Sequence, residues 1–406
     1  MLDTTTPEAV GLSTTGLRAI HAYCERHLTA HHGPGIVTLV ARHGKVAHLA
    51  CTGSLSLETG QPVQPDTIFR IYSMTKPITC VALLMLIEAN QMHLDEPVAR
   101  YLPSFAHLQV LLQRGPTETI AVPLERPITI SDLLTHTAGL GYGLFQDSPV
   151  ENAYRACKLL NRVLTLRRPL ADLIAQVAQL PLAHQPGQVW RYSVAHDVLA
   201  HLIATIADMP FATFLAERIF NPLGMHDTSF RVPEAQQARF AALYLRDQGG
   251  QVRLLDAPAT SIYIHPGAQP AGGGGLVATI SDYLRFAQML LNQGTLGSVR
   301  LLRRETVALM TRNHLPATAL PFRLGPAWIW NGYGYGFGVA VVQNPALPTL
   351  PSSTGTFEWA GAANTFFWVD PSKELIGILM TQLLPLPAHP RLDHAFKRLV
   401  YQAIIA

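Results

Sequence analysis

Apolar residues along this chain switch between two periods. Ser13 can cap a helix, and the segment from there to about Leu28 is amphipathic, which predicts a helix. Two β-branched runs follow, IVTLVAR at 36–42 and KVAHLAC at 45–51, split by His43-Gly44. They predict a β-hairpin over residues 35–52. Helical spacing returns over about 73–90 and again, through the middle of the chain, at 130–136, 170–180, 195–208 and 211–220. Pro- and Gly-rich stretches such as 114–127 read as the loops between them. Ser281 or Thr279 caps a further helix, 282–292, which ends at Gly294.

Strand character reappears late. Residues 335–342 alternate small and β-branched side chains, and 355–369 and 374–382 are apolar runs. Asp370-Pro371-Ser372-Lys373 between those runs suits a type I turn. A helix over 392–405 closes the chain. Strands at both ends and helices between predict one antiparallel sheet built from both termini and flanked by the terminal helices. A mostly helical insertion then forms a second lobe. The expected division is 1–72 together with 270–406 for the sheet lobe and 73–269 for the helical lobe, with a site at the seam.

Composition narrows the function. Of 406 residues, 48% are hydrophobic and 14% charged, against about 25% charged in an average domain. Mean hydropathy is +0.18 and the formal charge +3, with no Lys/Arg run. This is a compact globule, with no electrostatic footprint for nucleic acid or a membrane surface. The longest apolar runs, 81–87 and 375–380, fall far short of the ~20 residues of a membrane span. The first residues, MLDTTTPEAVGLS, resemble no secretion signal, so a cytoplasmic protein is expected. Cys24, Cys51, Cys80 and Cys157 form no CxxC pair and are expected to be reduced thiols.

The sharpest chemical signal is Ser73-Met74-Thr75-Lys76, followed by Pro77. Proline is tolerated in the first turn of a helix, which puts Ser73 at a helix N-terminus. One turn brings Lys76 to the same face, where a lysine set against a buried serine can serve as its base. The alternative is a capping serine beside a solvated lysine. Tyr192, in Trp190-Arg191-Tyr192-Ser193, reads by itself as a packed aromatic corner. A triad of Ser73, His136 or His196, and Asp197 can be drawn, but among 17 histidines such trios arise readily. His136 is expected instead to order the turn 137–139, and His196 to be exposed on the helix that Tyr192 opens. No H-E-x-x-H spacing occurs, so no metal is expected. Gly272-Gly273-Gly274-Gly275 lacks the lysine of a phosphate loop and reads as a flexible connection. Gly334, Gly336 and Gly338 read as a strand entry that allows close backbone approach. Trp328, Trp330, Tyr142 and Phe145 are candidates to line an acyl pocket.

Taken together, these segments resemble the serine β-lactamase and penicillin-binding-protein superfamily. The nucleophile motif is Ser73-Met74-Thr75-Lys76. Leu134-Thr135-His136-Thr137-Ala138-Gly139-Leu140 resembles the family's "LxHTSGL" segment, and Tyr192-Ser193 with Asp197 its second motif. Trp359-Ala360-Gly361 stands at the third. The resemblance implies an α+β fold, β-lactamase/transpeptidase-like: an antiparallel sheet flanked by helices, with a mostly helical inserted lobe.

Two departures refine it. Val194 stands where β-lactamases usually carry asparagine, and Trp359 where they carry the lysine that holds a substrate carboxylate. An aromatic wall suits a neutral acyl or alkoxy group, and the Trp359-Ala360-Gly361 motif is similar to family VIII carboxylesterases and to statin side-chain acyltransferases. No G-x-S-x-G nucleophile elbow is present. The resemblance implies Ser73 as nucleophile, with Lys76 and Tyr192 moving its proton. It implies backbone N–H groups of Ser73 and Ala362 as oxyanion hole. Trp359, Ala360, Gly361, Tyr142 and Phe145 are expected at the substrate, a small ester of short to medium acyl chain, with no cofactor. Weak β-lactam hydrolysis fits the same residues. So do transfer of the acyl group to an alcohol and a non-turnover, penicillin-sensor-like acyl-binding role.

Overall fold

The computed structural model describes residues 3–115, 118–144, 148–157, 169–325, 328–348, 350–384 and 391–405. Seven strands form the main sheet: β1 (Ile36–Arg42), β2 (Lys45–Thr52), β3 (Tyr333–Tyr335), β4 (Ala340–Val342), β5 (Phe357–Gly361), β6 (Thr365–Asp370) and β7 (Leu375–Met380). Their order is β3-β4-β5-β6-β7-β1-β2, every pair antiparallel. The two chain ends meet at β1 and β7, where Val37 opposes Met380 and Arg42 opposes Leu375.

β1 and β4 to β7 are buried along nearly their whole length because both faces of the sheet are covered there, whereas β2 at the edge is half-exposed. Side chains alternate between the faces. Val37, Leu39 and Ala41 of β1 join Phe367, Val369, Ile376 and Ile378 in the larger core. Val40 joins Phe366, Trp368 and Leu379 in a second core, filled by Leu17, Ile20 and Cys24 from α1 (Thr14–His31) and by Phe396 and Val400 from the C-terminal helix Leu392–Gln402. The Ser13 hydroxyl caps α1, accepting the Gly16 N–H at 3.1 Å. Thr279, rather than Ser281, caps the helix Ile280–Leu291 on the larger-core side, accepting from Asp282 N.

Several segments depart from the sequence reading. Residues 335–342 are not one strand: β3 and β4 are separated by a turn that runs through Gly336 and Gly338. The run 355–369 holds β5, a turn at 362–364, and β6. An apolar run carries no mark of where it folds back; here the turn is made by Asn364, at φ +63°. Part of the expected loop 114–127 belongs to a hairpin, Gln109–Gln113 against Thr119–Pro123, whose half-exposed strands leave little hydrophobic pattern to read. Leu243–Arg246 and Val252–Asp256 form another small sheet with Leu383–Leu384, within a stretch read as helical. Among the described residues no single helix is long and apolar enough to cross a membrane.

Candidate active site

Ser73 lies in a 3₁₀ turn, Tyr72–Met74, that feeds directly into the helix Thr75–Glu88. Its side chain is half-buried and does not cap that helix. Tyr72, before it, is held at φ +44°, a left-handed conformation rare for an aromatic residue. Strain of this kind persists only where surrounding structure imposes it, and it recurs at functional sites. The residue before Tyr72 is tied down twice: Met74 N and Thr365 Oγ1 both donate to the Ile71 carbonyl, at 3.0 and 3.3 Å.

Lys76 is wholly buried, which excludes the solvated-lysine reading. Its Nζ donates to Ser73 Oγ at 3.1 Å and to the Gly273 carbonyl at 2.6 Å. It also lies 4.5 Å from the centre of the Tyr192 ring. Tyr192 is not a packed corner alone, because its phenol donates to Ser73 Oγ at 2.7 Å. Serine, lysine and tyrosine therefore converge on one oxygen atom.

The glycine run proves to be a tight seam. The Gly272 carbonyl accepts from the Thr79 hydroxyl at 2.8 Å, and a Cβ on Gly272 would fall 2.3 Å from the His196 carbonyl oxygen. Gly273 holds Lys76 through its carbonyl while its N–H donates to Asp197 Oδ1 at 3.0 Å. Burial raises the Asp197 pKa. Neither Gly273 nor this use of Asp197 is apparent from the sequence; the four consecutive glycines are the only local signal, and it points to flexibility rather than contact. Gly338 behaves as expected: at φ +75°, a Cβ there would meet Cys80 Sγ at 2.8 Å, so the turn packs directly on the helix that follows Ser73.

The histidine triad does not form. His136 Nδ1 faces Ser193 Oγ at 3.2 Å and His196 Nε2 faces Cys80 Sγ at 3.3 Å. Neither imidazole is hydrogen-bonded to Ser73. His196 is fully buried rather than exposed, and burial holds both imidazoles well below the usual histidine pKa.

Trp359 is buried on the larger-core face, with Tyr192 at 5.7 Å and Trp330 stacked at 5.6 Å. Ala360 belongs to the opposite face, packing with the terminal helices. Gly361 ends β5 against Ile71, just before the turn that carries Ser73. Ala362 follows, half-buried, its methyl packed in a small cluster with Tyr72 and Ala363. Tyr142 stacks on Tyr192 at 5.6 Å with the rings nearly parallel, 4° apart. Its loop is fastened by Glu151, whose carboxylate accepts the Gly143 N–H and, at 2.7 Å, the Arg191 guanidinium. Trp328 lies beneath the Arg391 guanidinium. Phe145 falls outside the described residues.

The family model described as Beta-lactamase matches residues 21–402. Protein Rv1367c of Mycobacterium tuberculosis is 36% identical over 360 residues, covering 86% of either chain. Esterase EstB of Burkholderia gladioli is 31% identical over 391 residues, covering 92% of this chain and 93% of its own. Among solved structures, EstCE1, described as a hydrolase with promiscuous acyltransferase activity, superposes with a TM-score of 0.77 at 28% identity, over 95% of this chain and 99% of that one.

Proposed function

The chain belongs to the beta-lactamase family, and from that premise we propose a family VIII serine carboxylesterase that cleaves short- to medium-chain esters through an acyl-enzyme on Ser73. One observation carries this reading: the Tyr192 phenol oxygen and Lys76 Nζ both meet Ser73 Oγ, at 2.7 and 3.1 Å. The likeness to EstB and EstCE1 supports the ester as substrate class.

In this mechanism the Lys76–Tyr192 pair acts as base in the form that has already given up one proton, and it takes the Ser73 Oγ proton as that oxygen attacks the ester carbonyl carbon. The carbonyl oxygen takes the negative charge and is received by the N–H groups of Ser73 and Ala362. Collapse of the tetrahedral intermediate breaks the ester C–O bond, and the pair returns the proton to the departing alkoxide. Water attacks the acyl-enzyme by the same route in reverse, releasing the acid and restoring the serine. Buried Trp359 offers no cation to a substrate carboxylate, which favours neutral acyl groups. An alcohol that reaches the acyl-enzyme before water gives acyl transfer, and the activity in the description of EstCE1 favours this as a second outcome of the same chemistry.

The test is hydrolysis of p-nitrophenyl butyrate by the wild type and Ser73→Ala, with intact-protein mass spectrometry. Turnover lost in the variant, with a transient butyryl adduct only on the wild type, is the expected result. Turnover that survives in Ser73→Ala removes Ser73 as nucleophile. A wild-type adduct that persists for hours points to an acyl-binding protein instead.

A further inference from the structure

One buried titratable side chain next to the site takes no part in the chemistry above. His136 is fully buried and sits at φ +57°, left-handed backbone that is uncommon outside glycine. It touches the chain on both sides of the phenol. Its carbonyl accepts the Arg191 N–H at 2.8 Å. Its Nδ1 lies 3.2 Å from Ser193 Oγ. Between those anchors is Tyr192, whose ring centre is 4.8 Å from the imidazole. The rest of the His136 segment holds the same stretch of chain: the Thr137 carbonyl accepts from Gly187 N at 2.8 Å, and the Gly141 carbonyl accepts from Val194 N at 3.2 Å.

We propose that His136 is a positioning residue: by gripping the backbone before Tyr192 and the side chain after it, His136 holds the phenol on the Ser73 hydroxyl. This rests on the esterase reading. Direct proton transfer is not its role, because Nδ1 is committed to Ser193 and Nε2 has no hydrogen-bond partner among the described residues. Burial, His196 and Lys76 together disfavour the imidazolium, so the ring acts as a neutral clamp. The remaining ionisable neighbours are the phenols of Tyr192 and of Tyr335, whose ring is 5.8 Å away. Precise placement is worth protecting here: a displacement of about 1 Å in a reacting group can cost about a hundredfold in rate.

A double-mutant cycle between His136→Ala and Tyr192→Phe tests the proposal. It is read as the acylation rate with p-nitrophenyl butyrate and, separately, with a fluorophosphonate that labels the serine. If the His136 ring acts through the phenol, His136→Ala, which keeps the backbone anchor to Arg191 and removes the one to Ser193, slows acylation about a hundredfold in the wild type but less than about threefold beside Tyr192→Phe. KM and the shape of the pH profile stay as in the wild type. His136→Asn restores most of the rate, since asparagine tolerates left-handed backbone and its carboxamide can bond Ser193. Equal losses in both backgrounds, or a lost limb of the pH profile in His136→Asn, overturn the proposal. Should His136→Ala not fold, Ser193→Ala removes the same anchor from the other side and enters the same cycle. Fluorophosphonate labelling judges the clamp even where the ester is not hydrolysed, so failure of the esterase reading and failure of the clamp are distinguishable.

Discussion

Gly361 touches Ile71 so closely that a Cβ at 361 would lie 2.4 Å from the Ile71 carbonyl oxygen and 2.1 Å from Thr365 Oγ1. The end of β5 and the start of the Ser73 turn are thus locked together, with room for a hydrogen atom between them. Gly361→Ala must push the two apart. We expect esterase activity to fall about a hundredfold while the variant still folds with a lowered Tm. Wild-type kcat/KM in Gly361→Ala would show that the turn tolerates displacement.

The Tyr192 hydroxyl is the atom, rather than the ring, that meets Ser73. Tyr192→Phe keeps the stacking on Tyr142 and removes that oxygen. The expected loss in kcat is on the order of 10²–10⁴, the usual contribution of a placed proton carrier, with thermal stability little changed. A loss below about tenfold would assign the proton to Lys76 alone.

On the proposed reading, buried Trp359 stands where the resembled β-lactamases carry the lysine that meets a substrate carboxylate. We expect nitrocefin to be turned over far more slowly than p-nitrophenyl butyrate, with both activities lost in Ser73→Ala. Nitrocefin kcat/KM equal to that of the ester would mean that another group receives the carboxylate.

Away from the site, Lys397 in the C-terminal helix forms a fully buried ion pair with Glu358 of β5, and Tyr333 also donates to Glu358, at 3.1 Å. Removing one partner strands the other in a medium that solvates it poorly. Lys397→Met is expected to cost about 3–5 kcal/mol in chemical denaturation. Adding Glu358→Gln should return part of that loss; a double variant weaker than the sum of the singles would contradict this account.

Burial lowers the pKa of several imidazoles: to about 4 for His27 and His48, and well below 6.5 for His136 and His196. In the unfolded chain all four titrate near 6.5. Above that pH neither state is charged and the full stability is present. As pH falls from about 6.5 toward 4, the unfolded chain binds protons that the folded chain refuses, so stability declines. Urea midpoints should be level from about pH 8 to 7 and fall steadily below 6.5. His48→Gln should flatten the decline; midpoints that hold level down to pH 5 would show that the buried rings are hydrated.

Much of this molecule is legible in one dimension because local physics governs it. The hairpin of β1 and β2 follows from β-branched runs around His43-Gly44. The Ser13 and Thr279 caps follow from side chains that bond amides three residues on. Ser73 and Lys76 share a face because one helical turn separates them. The closing helix is readable because its apolar face repeats with the helical period. Where a run is buried on both faces, as at 333–342 and 355–369, hydrophobicity is continuous and the turns inside it leave no trace.

What the sequence by itself determined is therefore the set of elements with a strong local signal and the placing of Lys76 one helical turn from Ser73. The family resemblance implied that Tyr192 joins them, but only the tertiary structure shows the contacts that distant groups make there. Tyr192 reaches Ser73 across 119 residues and Gly273 reaches Lys76 across 197. It also decided which histidines are sealed away, and that Gly272, Gly273 and Gly275 pack tightly where the glycine run reads as a flexible connection. The physical reason is that a hydrogen bond or a close backbone contact between remote segments depends on where the sheet and the helices bring them. No local propensity encodes that placement.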